Sequence, residues 1–187
     1  MSWGIICSSF KSIVYIHFTL ILSDNIMKEK FNLERELKKF HFSSDGIVEF
    51  YQIDALQVLY NIQYLYIFEN SRLAYMRKLG FVEKLDDLRS KFPVLTVHHT
   101  IDYFNPGFYG DEYTVYCRIS QIRTSSFSFE NIMIKKDGTL LSRAETVYVY
   151  IDQSTMQSTP IPEEIKNKII EFEQMIVKSN LTVNEAN

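Results

Sequence analysis

Hydrophobic and polar positions along the chain fall into runs with two periods. Gly46 to Ile53 (GIVEFYQI) is rich in β-branched and aromatic residues and reads as a strand. Asp54 to Tyr60 is a short apolar link. Tyr64 to Leu79 contains neither Gly nor Pro, and Gly80 stands behind it as a stop, which predicts a helix. Its first turns, Tyr64, Leu65, Tyr66, Ile67 and Phe68, are apolar on all sides, and a helix apolar all round is expected to be buried all round. A second short helix is expected at Glu83 to Lys91. Four strands follow. Val94 to Phe104 alternates with Leu95, Val97, Ile101 and Tyr103 on one face, and Tyr113 to Ser120 sets Tyr113, Val115, Cys117 and Ile119 on another. Phe127 to Lys135 and Thr139 to Ile151 complete the series. Asn105-Pro106-Gly107 and Asp137-Gly138 carry turn chemistry, and strands joined so closely are antiparallel. Pro160 and Pro162 end the sheet. Ile165, Ile169, Phe172 and Ile176 then recur at i, i+4, i+7 and i+11, an amphipathic helix.

The expected architecture is α+β: a curved antiparallel sheet wrapped around one long buried central helix, with a C-terminal helix. Residues 1–26 stand apart. Their apolar run, Ser12 to Leu22, falls short of the roughly 20 residues a membrane span needs. It has Lys11 as the only basic residue ahead of it and no clean small-x-small cleavage site. The expectation is an extension that is a tail or start-site artefact, a domain over 27–178 and a polar tail over 179–187.

Composition narrows the function. The 187 residues carry a net charge of −3, against the basic patch that phosphate binding requires, so nucleic acid is not an expected partner. Fourteen Phe, twelve Tyr and one Trp favour pleated, half-buried surfaces. Two cysteines, Cys7 and Cys117, make no disulfide framework, and neither they nor His17, His41, His98 and His99 have metal-ligand spacing. A reducing, cytoplasmic setting without a metal is expected.

The order of motifs points further. Asp54-(x)5-Tyr60-(x)3-Tyr64-Leu65-(x)2-Phe68-Glu69-(x)2-Arg72-(x)2-Tyr75-(x)3-Leu79-Gly80 resembles the signature of the hotdog-fold 4-hydroxybenzoyl-CoA thioesterase-like acyl-CoA thioesterases. Asp102-Tyr103-(x)2-Pro106-(x)3-Gly110-Asp111, Ser125-Ser126-Phe127, Ala144-Glu145-Thr146-Val147 and Pro160-Ile161-Pro162 extend the resemblance to Phe172. It implies an acyl-CoA substrate, acyl carrier protein as a second candidate, no cofactor, and a homodimer or homotetramer with sites at subunit interfaces. By position it implies Asp54 as nucleophile or base and the Asn61 backbone N–H as donor to the thioester carbonyl.

Thioester hydrolysis needs these parts in any case: a carboxylate, and a donor aimed at the developing oxyanion. The apolar neighbours of Asp54 are expected to desolvate it in part, and a helix N-terminus supplies free N–H groups. Tyr60, Tyr64 and Phe68 are expected to line a slot for the acyl group, with Gln57 and Ser126 facing it. The family's pattern is broken at Gln52 (Asp), Gln57 (Gly) and Gln63 (Asn or His), so a non-catalytic acyl-CoA or acyl-carrier binding module on the same fold is the alternative. Structural readings stand beside the chemical ones: Asp54 as a loop cap; Glu69 as an ion pair with Arg72 rather than the alternative catalytic carboxylate that another branch of hotdog thioesterases carries on this helix; His99 as hydrogen-bonded structure rather than a base; Cys117 as inert core; and Arg118, Arg123 and Lys135 as solvated surface rather than contacts to CoA phosphates.

Overall fold

In a computed structural model of the chain, residues 32–184 are described. The expected extension over 1–26 lies outside them. The chain divides at Lys38 into two units. The described part of the first holds a one-turn helix α1, Leu33–Leu37, capped by Asn32, whose Oδ1 accepts the Arg35 N–H at 2.9 Å.

The second unit contains strand β1 (Phe42–Ile47), a 3-10 turn (Phe50–Gln52), helix α2 (Asn61–Lys78) and helix α3 (Leu85–Ser90). Strands β2 (Val94–Tyr103), β3 (Glu112–Ile122), β4 (Ser126–Lys135) and β5 (Leu140–Tyr150) follow, and helix α4 (Glu163–Asn184) closes the series. All strand pairs are antiparallel, in the order β1-β3-β4-β5-β2. Among the described residues the long strand β2 therefore forms one edge of the sheet, with β5 as its only strand partner.

Three sequence expectations are corrected. GIVEFYQI is not one strand: β1 starts at Phe42 and stops at Ile47, because the Glu49 N–H turns to the Gln52 side chain at 2.8 Å and folds the next residues into the 3-10 turn. Helix α2 begins at Asn61 and is not buried on every side of a single chain. Tyr64, Ile67, Phe68, Ser71, Arg72, Tyr75 and Met76 pack inward, while Tyr66 is 61% and Ile62 42% exposed. One layer of sheet covers one side of a helix. Strand β2 does not keep Leu95 on the face of Ile101. A β-bulge between Thr96 and His98 shifts the register, so Leu95 pairs with Val149 while His99 and Ile101 pair with Thr146 and Ala144 on the other face.

The core has two parts. Near the start of α2, Val48, Leu59, Tyr64, Phe68, Met133 and Leu141 pack together. Near its end, Tyr75, Phe92, Phe127, Phe129 and Tyr148 meet Ile161, Ile165 and Ile169. The expected faces of β3 (Tyr113, Val115, Cys117, Ile119) and of the last helix (Ile165, Ile169) are borne out. Glu173 anchors α4: one carboxylate oxygen accepts the Tyr75 hydroxyl at 2.6 Å and the Ile119 N–H at 3.0 Å, beside a bulge in β3. Burial pushes its carboxyl above the usual range. Among the described residues no helix is long and apolar enough to cross a membrane.

Gly46 gives the fold a direct check. A Cβ there would lie 2.5 Å from the Tyr113 ring, which packs over the strand. Gly46→Ala is expected to lower stability by about 1–3 kcal/mol through overpacking, read as a lower urea midpoint.

Candidate active site

The residues between the 3-10 turn and α2 form a tight hairpin. Ile53 and Leu59 bridge across it, the Asp54 N–H donates to the Val58 carbonyl and the Gln57 N–H to the Asp54 carbonyl, both at 2.9 Å. Asp54 Oδ1 accepts the Leu56 N–H at 2.8 Å and the Val58 N–H at 3.4 Å. The side chain thus shapes its own loop, and Oδ2 takes part in neither bond. Asp54 is half-buried, and Leu56 beside it is exposed.

The hairpin is fixed to the rest of the domain at both ends. The Leu59 N–H donates to the Gly107 carbonyl at 2.8 Å, and Val58 bridges to Phe108. Gly107 is needed for closeness, since a Cβ on it would lie 3.3 Å from Leu59 Cβ. The Tyr60 N–H donates to the Gln52 carbonyl at 2.9 Å. These bonds set the Asp54 carboxylate and the first turn of α2 on one rigid unit.

That first turn keeps a donor available. The Ile62 N–H is taken by Asn61 Oδ1 at 2.9 Å and the Gln63 N–H by the Tyr60 carbonyl at 2.8 Å; the Asn61 N–H takes part in neither. The Tyr103 hydroxyl donates to the Asn61 carbonyl at 3.3 Å. Its ring meets Tyr64 edge-on at 5.2 Å. Burial pushes the Tyr64 hydroxyl up to about 12.

The remaining expected site residues divide. Tyr60 is exposed at the helix start, whereas Tyr64 and Phe68 are core residues without open surface. Gln57 is exposed in the hairpin with φ +62°, the left-handed region that favours glycine. The resemblance places a glycine at that position, and the structure gives Gln57 a backbone conformation that a glycine adopts freely. Gln57→Gly is expected to leave stability unchanged or raise it by up to about 1 kcal/mol, since a side chain there is strained. A thermal melt reads this out. Ser126 opens β4 opposite Val149. The other end of β4, Lys135, pairs with Asp111 beside the Asp54 hairpin, so within one chain Ser126 stands about 30 Å away along the strand.

A second polar group lies under the helix. Arg72, 1% exposed, donates from Nε to the Tyr148 hydroxyl at 3.1 Å. Its Nη1 donates to Asn131 Oδ1 at 3.2 Å and Thr146 Oγ1 at 3.1 Å, and its Nη2 to Glu69 Oε2 at 2.6 Å. The Tyr148 hydroxyl donates in turn to Glu69, 2.8 Å from Oε2. Thr146 Oγ1 also meets His99 Nδ1 at 2.9 Å. Glu69, 43% exposed, is the outer end of this network. Burial pushes the Tyr148 hydroxyl up to about 12. Burial, then the Arg72 charge, hold His99 below the usual imidazole range. The ion pair was legible at i, i+3; the rest of the set was not. The one faint sign was Asn131, which interrupts the face of β4 formed by Phe127, Phe129 and Met133.

Cys117 lies in the core and Arg123 is exposed, as expected, but Arg118 and Lys135 are not solvated surface: their side chains are 20% and 16% exposed and each is held by a carboxylate. Burial pushes the Cys117 thiol up to about 12, Arg118 pairs with Glu130 at 2.8 Å and Lys135 with Asp111 at 3.2 Å. Among the described residues no three His, Cys, Asp or Glu side chains converge as a metal site.

The profile of the thioesterase-like superfamily matches residues 48–169, from the end of β1 into α4. This chain belongs to that superfamily. It is 28% identical over 127 residues to the acyl-CoA thioesterase YbgC of Haemophilus influenzae, an alignment that covers 67% of this chain and 91% of that protein. Two solved structures share the fold. A 1,4-dihydroxy-2-naphthoyl-CoA thioesterase from Synechocystis superposes with TM-score 0.64 at 23% identity, covering 70% of this chain and 96% of that one. A Thermus thermophilus thioesterase complexed with coenzyme A and Zn superposes with TM-score 0.64 at 24% identity, covering 73% and 97%. The superfamily's hotdog fold is the architecture described above. The matched span begins just before the Asp54 hairpin and takes in the Arg72 network.

Proposed function

We propose that this protein hydrolyses the thioester of an acyl-CoA to the free acid and CoA. Asp54 acts as base or nucleophile, and the Asn61 N–H receives the oxyanion. In the base form, Asp54 takes a proton from water, the hydroxide oxygen bonds the carbonyl carbon, the C–S bond breaks, and the thiolate leaves with the proton. The observation that carries the reading is the hairpin that binds a carboxylate and a helix N-terminal donor into one rigid unit. The match to YbgC supports the acyl-CoA class. Acyl carrier protein presents the same thioester arm and is the second substrate candidate.

The site is completed by a second copy paired along β2. This edge strand is ten residues long, and Leu95 and Val97 on it are 42% and 58% exposed. A long edge that no other described strand covers invites a further strand. Antiparallel self-pairing over the whole strand exchanges its ends about a two-fold axis. Ser126 lies level with Leu95, across β5, whereas Tyr103 touches Asn61 at the opposite end. The two-fold therefore carries Ser126 of the partner subunit towards the Asn61 turn, which reconciles its distance within one chain with a substrate-binding role.

The test is a thiol-release assay over short, long and aryl acyl-CoAs, with acyl-CoA binding measured in parallel. Turnover of at least one substrate is expected. Tight binding with no thiol release across the panel would establish the binding-module reading instead, which the Gln57 side chain at the family's glycine position favours.

A further inference from the structure

We propose that His98 and His99 make the pairing of two copies along β2 proton-sensitive, so that acid separates the subunits. The inference rests on the self-pairing above and adds a control to it. The two imidazoles occupy the midpoint of Val94–Tyr103. When that strand pairs antiparallel with its own copy over its full length, Val94 falls opposite Tyr103 and Leu95 opposite Asp102 of the partner subunit; the bulge at Val97 takes up one residue, so His99 falls opposite His99 of the partner subunit and His98 opposite Thr100 of the partner subunit. The two His99 imidazoles then face each other at the two-fold on the α2 side of the sheet, and the two His98 imidazoles stand diagonally across it on the other face.

The rest of the strand makes the effect specific. Asp102 is its only fixed charge, and it falls opposite an apolar residue, so no like charges face each other while the imidazoles are neutral. Protonation alone brings like charges together, at the centre of a surface that pairing removes from water.

The groups around the pair are few. Behind His99 stand Thr146 on β5 and, on α2, the Arg72 guanidinium, whose charge opposes protonation, and the Glu69 carboxylate, whose charge favours it. Arg72 donates to Thr146 Oγ1, which leaves the Thr146 hydroxyl hydrogen for His99 Nδ1, an arrangement suited to the neutral ring. On the other face, His98 lies opposite Val147, with Glu145 on β5 and Asp102 on β2 as the neighbouring carboxylates. The sign follows: the dimer binds fewer protons than the separated chains, so it is favoured above the imidazole pKa and weakened as pH falls through it.

The experiment is sedimentation velocity on the full chain at about pH 8 and about pH 5.5, with circular dichroism to show that the chain stays folded. Each imidazole whose proton affinity drops tenfold on pairing contributes a factor of about ten, so the dissociation constant is expected to rise on the order of a hundredfold or more. His98→Gln, which leaves the buried network intact, should flatten part of that rise, and His98→Gln/His99→Gln nearly all of it. A dimer indifferent to pH, or a double variant that follows the parent, overturns the proposal and leaves the self-pairing standing. Val97→Lys at about pH 8 tests the pairing itself. A dimer that survives that change, or a parent chain monomeric at about pH 8, removes both.

Discussion

Asp54→Asn is expected to slow thiol release from an acyl-CoA by about 10²- to 10⁴-fold, the range that a positioned base contributes. Asparagine is the informative replacement. Its side-chain oxygen can still accept the Leu56 and Val58 N–H groups that Asp54 Oδ1 accepts. The hairpin and the Asn61 turn then stay in place while basicity and nucleophilicity are lost. Asp54→Ala would confound the two roles, because removing the acceptor frees two backbone donors at a cost of about 1 kcal/mol each. An unchanged kcat in the asparagine variant, with a normal melting curve, removes Asp54 from the chemistry. A fall in kcat with KM little changed is the expected pattern, since the carboxylate acts on the transition state.

Arg72→Ala is expected to cost about 3–5 kcal/mol of stability, the largest effect of any single substitution considered for this chain. Three terms act together. The change empties the volume of a wholly buried side chain. It also leaves Asn131, Thr146 and Tyr148 without the donor that each now accepts from. Asn131 Nδ2 is already buried without a hydrogen-bond partner, and its Oδ1 would now lose the guanidinium donor as well. Glu69 would lose its ion pair but, being half exposed, can turn to water. Glu69→Gln should also destabilise, though by less than Arg72→Ala, for it strips the paired carboxylate from a guanidinium that cannot reach solvent. Urea denaturation of both variants reads the outcome, and an Arg72→Ala loss below about 1 kcal/mol would mean that the network is not a structural anchor.

Much of the site's alphabet was open to inspection in one dimension. Asp54, Asn61 and Tyr60 sit at fixed offsets within a few residues of each other, and local hydrogen bonds then hold them there. The Glu69–Arg72 pair was equally visible, because helical spacing alone makes i and i+3 neighbours. His99, Asn131, Thr146 and Tyr148 gave no comparable sign. They come from three strands far apart in sequence, and only pairing registers decide that they share one face. The bulge at Val97 is the sharpest instance: one inserted residue reverses the face of half a strand, and alternation counted along the sequence passes straight over it.

By itself the amino-acid order determined the strands after α2, the helices, the turns between them and which motifs lie together near the start of α2, though not the bounds of β1, because these depend on side-chain periodicity and neighbours in the chain. The tertiary structure decided the strand order, which leaves β2 rather than β4 at the edge, and the uncovered side of α2 with Tyr66 and Ile62 outward. It also decided the separation of Ser126 from Asp54 within one chain. Those outcomes follow from how one sheet can lie against one helix, a constraint on shape and covering area that no local run of residues contains.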